Sequence, residues 1–376
     1  MDKTLGRSHM MESFVSLAVL FVLLIFTYGI LITAPYSGFY FSPVVGRIES
    51  IFADKNDLLQ EGDLIEQIGE TTLAEFKLDR RLVLFEELKE GDTIEIVLMR
   101  NGERLNILWP FPGFNLREFT NRLFNAWLLA YIFWLVGFTA QLSIRPRDLR
   151  RFLFIAANYL IALFLVSGTL SSWHLWESST VLHMVSWLMV PVFLHLHWVI
   201  PQPIRSIPNI VWGFMYGTAV LLAVAEAVHL FDRNLYALGF LLSIFGSMIL
   251  LLAHLVTQKN ERPTILQLML SILISFSFSI VVLIAFVLNV VLNLSWFTVI
   301  SMPFMPLAYF YLIYRRQLGG METRVNRLLS VYAFVIILGT VFFIATISLM
   351  QISISKEIWV FIAAGAAFTA SSITIV

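Results

Sequence analysis

The chain has 376 residues, of which 59% are hydrophobic and 13% charged, with a mean hydropathy of +0.82. A water-soluble domain carries about 25% charged residues, so this composition predicts an integral membrane protein. The 25 Lys and Arg balance 25 Asp and Glu, leaving no excess of positive charge for nucleic acid, and the absence of cysteine excludes disulfides, thiol catalysis and Cys-ligated metal or redox centres.

In chain order, residues 1–10 contain Ser8-His9-Met10 ahead of a second start, Met11, and read as a cloning scar. Residues 11–34 hold the first apolar run. A helix needs about 20 apolar residues to cross about 30 Å of hydrocarbon, and that window predicts about ten spans. They fall near 13–33, 119–143, 152–170, 180–200, 209–230, 236–257, 265–292, 297–314, 328–350 and 358–376. The carboxyl end stops inside an apolar run, so the natural chain is expected to continue past Val376.

Lys and Arg in alternate short loops set the orientation, because cytoplasmic loops retain positive charge. One set holds eleven: Arg145, Arg147, Arg150, Arg151, Arg205, Lys259, Arg262, Arg315, Arg316, Arg324 and Arg327. The alternate set holds two, Arg233 and Lys356. This bias predicts a multi-pass membrane protein with both termini cytoplasmic and residues 35–115 extracytoplasmic.

Residues 35–115 are the only stretch of soluble composition, with 15 acidic against 8 basic side chains. Alternation over 46–52, a short apolar run at 64–68, and runs at 93–98 and 104–108 across Asn101-Gly102 predict strands, the last two as a hairpin. Residues 79–89 read as an amphipathic helix with Leu82, Phe85 and Leu88 on one face. The remaining nine spans, over 116–376, would form a multi-helix membrane domain.

The stretch Leu58-Leu59-Gln60-Glu61-Gly62-Asp63-Leu64-Ile65-Glu66-Gln67-Ile68-Gly69 resembles the bacterial PDZ signature, in which Gly-Asp introduces a buried strand, and Lys89-Glu90-Gly91-Asp92-Thr93-Ile94 resembles that family's second Gly-Asp turn. Gly69-Glu70 stands where the family usually has Asn-Gly. The resemblance implies a fold class: a polytopic α-helical membrane protein with a small extracytoplasmic α+β PDZ-like domain between its first two spans. It also implies a peptide groove, with Ser37, Gly38, Phe39 and Tyr40 as the carboxylate loop and Leu82 and Phe85 receiving a side chain. The opposing expectation is that this domain binds no peptide and packs on the helices, with Phe39, Tyr40 and Phe41 belonging to an interfacial aromatic belt.

Ionisable residues within the spans are functional candidates because burying them in lipid is costly. These are His174, His183, Glu226, His229 and Asp232 toward the outer ends, and His195, His197 and His254 toward the cytoplasmic ends. Glu226 and His229 are three apart on one helix face and are expected to pair with each other or to share a proton or metal. His195 and His197 point to opposite sides of a helix, so one metal cannot take both, and each reads first as a hydrogen-bonded structural residue. No His-Glu-x-x-His, Gly-x-Ser-x-Gly, Walker motif or Gly-x-Gly-x-x-Gly occurs. The chain is therefore expected to lack a catalytic core, cofactor or metal.

One amino-terminal helix, an outer PDZ-like domain and a many-helix region together resemble the membrane sensor region of ComP-type bacterial quorum-sensing histidine kinases. His195 followed by Trp198-Val199-Ile200-Pro201 is similar to a His-Phe-x-x-x-Phe-Pro pattern of such sensors. The resemblance implies a signal receptor of a two-component system. It would bind an extracellular peptide or lipophilic signal, sit in the lipid of the bacterial plasma membrane as a homodimer, and act on a response regulator through a kinase absent from this sequence. The alternatives are a PDZ-containing assembly or scaffold protein, or a transporter, for which Pro303 and Pro306 are the only helix-breaking pair suggestive of paired broken helices.

Overall fold

A computed structural model describes residues 3–43, 45–53, 58–85, 88–145, 147–231, 235–281, 297, 300–315 and 322–350. These are mostly helical, with one small sheet region near the amino end. Helix α1 (Lys3–Tyr28) runs into a π-helical turn at Gly29–Thr33, after which the chain enters strands β1 (Phe39–Phe41), β2 (Ile48–Ile51), β3 (Leu64–Ile68) and β4 (Thr71–Thr72). A short helix α2 (Leu73–Leu78) follows, then the hairpin β5 (Thr93–Arg100) and β6 (Glu103–Pro110).

The hairpin forms where Asn101-Gly102 places it, with both residues at positive φ, 51° and 86°, the requirement of a tight two-residue connection. β3 lies between β4 and β5 in an antiparallel sheet of order β4-β3-β5-β6, and β1 pairs with β2 alone. Phe39, Ile48, Ile65, Phe76, Ile96, Leu98 and Trp109 fill the core between these strands and α2. Asp63, 3% exposed, opens β3 by accepting two hydrogen bonds from Arg100 at 2.7 and 2.8 Å.

The amphipathic helix expected over 79–89 does not form in the described residues 79–85, which run as turns. The helix sits earlier, at α2, because Thr72 and Glu75 make a reciprocal capping box that starts it. Arg80 is drawn away from any helical face by the ion pair described below, and Phe85 takes a φ of 62° to reach the core. Residues 86 and 87 lie outside the described residues.

Among the described residues, seven helices are long and apolar enough to cross a membrane by length and composition: Ser13–Thr33, Leu116–Ser143, Leu149–Trp173, Leu175–Val199, Asn209–Ala227, Tyr236–Thr257 and Glu322–Val341. They match seven of the ten expected spans. Of the others, 265–292 yields α9 (Arg262–Ser275) before passing outside the described residues, 297–314 yields the 11-residue helix α10 (Phe304–Tyr314), and 358–376 lies outside the described residues. Asp232, Arg233, Arg316 and Lys356 also lie outside them.

One compact unit comprises residues 1–141, 148–199 and 205–250. Its second long helix is broken into α3 (Leu116–Leu123) and α4 (Leu128–Ser143), followed by α5 (Leu149–Leu170), α6 (Ser178–Val199), α7 (Asn209–Ala227) and α8, which starts at Tyr236. α1 packs on α5, α5 on α6, and α6 on α7. Gly239 and Gly246 of α8, seven apart and so on one face, lie so close to α6 that a Cβ would come within 3.0 Å of the Ser186 carbonyl and 2.4 Å of Leu194. Ser16 of α1, Gln141 of α4 and Tyr159 of α5 share a buried hydrogen-bond cluster, in which Tyr159 Oη donates to Gln141 Oε1 at 3.0 Å.

The second unit comprises residues 142–147, 200–204 and 251–376. α9, α10 and α11 (Glu322–Met350) pack there around Ile274, Phe278, Phe304, Ala308 and Ile336. Ser301 Oγ donates to the Ser275 carbonyl at 2.7 Å and Thr340 Oγ1 to Ser277 Oγ at 2.8 Å.

Candidate functional site

The first unit gathers two polar clusters where the sheet region meets the helices. In the first, Glu226 of α7 is fully buried and accepts hydrogen bonds from three side chains. Arg80 Nη1 approaches Oε2 at 2.9 Å, His183 Nδ1 approaches the same oxygen at 3.1 Å, and Trp187 Nε1 reaches Oε1 at 3.3 Å. The other guanidinium nitrogen of Arg80 donates to the Phe231 carbonyl at 3.2 Å, and the His183 ring stacks on Tyr236 at 3.9 Å. The sheet region thus inserts a cation onto a carboxylate held by α6 and α7, while α8 covers the imidazole.

His174 makes a second tie. It sits in a left-handed conformation in the turn between α5 and α6, its Nδ1 lies 2.9 Å from the Leu82 carbonyl, and its ring stacks on Phe76 of α2 at 4.0 Å. Leu82, expected to receive a ligand side chain, packs on the sheet core through its side chain and is gripped through its carbonyl.

The second cluster lies where α1 leaves for the sheet. Asn115 caps α3, and Glu118 and Arg122 follow four apart on its buried face, joined at 2.5 Å. Arg122 also donates to the carbonyls of Ile30 (3.2 Å), Ala34 (2.8 Å) and Pro35 (2.5 Å), with Tyr36 and Trp173 against its guanidinium at 4.1 and 5.0 Å. Glu118 Oε2 accepts the Gly38 backbone N–H at 2.9 Å. Gly38 is fixed as glycine by a φ of 80° and by Pro112, whose Cγ would lie 2.6 Å from a Cβ.

Beside this pair opens a cleft. A small cavity of about 30 Å³ is bounded by Ser37, Phe39, Tyr40, Phe85, Glu118 and Arg122, among others, and it adjoins a larger one of about 300 Å³. Tyr40, Asn125, Ser172 and Trp173 border both, and Ala126, Phe164, Leu165, Gly168 and Thr169 complete the larger. The cleft exists because the helix breaks between α3 and α4, where Asn125 Oδ1 accepts the Ala126 N–H at 2.6 Å. Burial, reinforced by the Glu49 carboxylate, pushes the Tyr40 phenol up to about 12, so Tyr40 presents a neutral hydroxyl at physiological pH.

Four of the expected loop and groove residues, Ser37, Phe39, Tyr40 and Phe85, therefore meet around one cavity, with Gly38 behind them, while Leu82 does not line it. Among the intramembrane candidates, the expected side-chain pairing of Glu226 with His229 does not form. His229 lies past the end of α7 with a φ of 56°, its ring nitrogen 3.9 Å from the Glu177 carboxylate, while His183 takes its place beside Glu226. His195 Nδ1 lies 3.2 Å from Tyr216 Oη on α7 and its ring stacks on Trp212, whereas His197 bonds to the Phe193 carbonyl of its own helix at 2.9 Å. His254 is fully buried.

Arg80, Trp187, Glu118, Arg122 and Asn125 are not among the residues that the sequence patterns single out. The i, i+4 spacing of Glu118 and Arg122 after the cap Asn115 was a usable signal; nothing local distinguishes Arg80 from Arg81. Among the described residues no group of three or more His, Asp and Glu gathers as metal ligands. Comparison of the chain with protein-family models, curated proteins and solved structures finds no match.

Proposed function

We propose that this chain is the signal-sensing region of a bacterial two-component sensor histidine kinase, with residues 35–115 as an extracytoplasmic PDZ-like domain on a multi-span helical domain of about ten spans and cytoplasmic termini. The signal, an extracellular peptide or lipopeptide-like molecule, enters the cleft beside Tyr40, Asn125 and Trp173. A ligand can shift a receptor only by binding two arrangements unequally. The observation that carries this reading is the placement of the cleft between the β1 segment and the broken α3–α4 helix, with the same sheet region tied to α6 and α7 through Arg80 and Glu226. A change in how β1 sits against the cleft would thus be felt at a buried ion pair among the helices. A volume of about 300 Å³ lies at the lower end of the range of small-molecule sites.

The test joins the chain at its carboxyl end to the dimerisation and ATP-binding core of a histidine kinase. Medium conditioned by the host cells should change autophosphorylation, and Ala126→Phe, which fills the cleft, should abolish the change. A scaffold or a transporter would leave autophosphorylation unchanged by the medium.

A further inference from the structure

The cleft's contact chemistry is asymmetric in a way that selects among ligands. Its small inner cavity is bordered by an ion pair already complete within the chain. Glu118, 3% exposed, occupies the Gly38 N–H through Oε2 and Arg122 through Oε1. Arg122 in turn engages four acceptors, the carbonyls of Ile30, Ala34 and Pro35 and the Glu118 carboxylate, and is flanked by two aromatic rings. The larger cavity adds no charged side chain: its polar side chains are Asn125, the hydroxyl-bearing Tyr40, Thr169 and Ser172, and Trp173 with its indole N–H, and the rest is apolar.

We infer that Glu118 is the resident ligand of the Gly38 loop and that it sets the specificity of the cleft, which takes an amphipathic molecule whose contacting end is an uncharged amide or hydroxyl and excludes one ending in a carboxylate. This rests on the proposed cleft and deepens it. A carboxylate brought beside Glu118 would lose its hydration, meet a like charge and find the loop N–H and the guanidinium already engaged. An amide or alcohol can instead donate to Glu118 or the Asn125 carbonyl oxygen and accept from Tyr40, at no charge cost. Glu118 acts here as a specificity-determining group through the field it sets.

The experiment uses the full chain in phosphatidylcholine nanodiscs at about pH 8, where a fatty acid in water is ionised. The probes are ω-bromodecanamide and ω-bromodecanoate, whose bromine quenches nearby indole fluorescence. Subtracting the signal of Trp173→Phe isolates Trp173. The amide should quench Trp173 with a half-saturation at least about tenfold lower than the carboxylate. Glu118→Gln should bring the two within about threefold by strengthening the carboxylate, because Arg122 then keeps an unneutralised charge beside the cavity, and Glu118→Asp should keep the original preference. Equal quenching by both probes in the unsubstituted protein overturns the inference, which holds as a test even if Glu118→Gln fails to fold. A folded Glu118→Gln that keeps the full amide preference overturns it as well. Absence of Trp173 quenching by either probe removes the cleft itself, and with it the proposed ligand entry, whereas equal quenching by both that Ala126→Phe abolishes leaves the cleft standing and rejects only the role of Glu118.

Discussion

Arg80 and Glu226, 146 residues apart in sequence, form a 2.9 Å ion pair with side chains 6% and 0% exposed. Removing one partner of such a pair leaves a buried charge without compensation, a loss of about 3–5 kcal/mol. Arg80→Met should therefore lower thermal stability sharply. The double variant Arg80→Met with Glu226→Gln should recover more than half of the loss, since the glutamine oxygen still accepts from Trp187 and no charge remains. A double variant no more stable than Arg80→Met would show that the pair is not the source of the stability.

The Asp63–Arg100 pair predicts acid sensitivity of the sheet region. Burial raises the Asp63 carboxyl pKa, but the hydrogen bonds from Arg100 and the Gln60 N–H, with the Arg100 charge, outweigh it and hold the carboxyl below its ordinary value. A depressed carboxyl contributes stability that is fully present above the unfolded pKa, about 4, and is lost as pH falls through the lower folded value. Denaturant unfolding followed through the sheet should weaken over that interval in the native chain, and Asp63→Asn should be less stable at neutral pH and should weaken less on acidification. An unchanged acid limb in Asp63→Asn would assign the sensitivity elsewhere.

Thr72 accepts the Glu75 N–H at 3.2 Å while Glu75 Oε2 accepts the Thr72 N–H at 3.0 Å. Thr72→Ala should cost about 1 kcal/mol, the usual value of an N-cap. Hydrogen exchange at Leu73–Leu78 should speed accordingly, with the β5–β6 hairpin unaffected.

The proposed topology rests on the eleven-to-two distribution of loop Lys and Arg. A reporter that fluoresces only in the cytoplasm should be bright after Arg151 and dark after Leu108. The reverse pattern would invert the proposed orientation.

The features legible in the sequence were those encoded locally. Asn101-Gly102 fixed its hairpin through positive φ, Leu64–Ile68 forms a strand where its short apolar run placed one, and seven apolar runs form long helices among the described residues. What was missed depended on tertiary partners. The apolar spacing of Leu82, Phe85 and Leu88 suits a helix, but a buried carboxylate 146 residues away takes Arg80 and the segment turns instead. Glu226 and His229 share a helical spacing, yet the helix ends between them, so Glu226 found His183 on another helix. The candidate loop was read from Ser37 to Tyr40, while the carboxylate that fills it, Glu118, sits 80 residues away from Gly38.

The central claim is that ligand in the cleft alters how the sheet region sits on α7. Because the chain has no cysteine, single cysteines at two exposed positions, Glu103 on β6 and Ile210 on α7, can carry spin labels without background. Pulsed dipolar distance measurement in nanodiscs, with and without the fraction of conditioned medium that drives the kinase fusion, reports that arrangement directly. The account predicts a shifted distance distribution with the active fraction, abolished by Ala126→Phe. An identical distribution with and without a fraction that fully activates the fusion would contradict it.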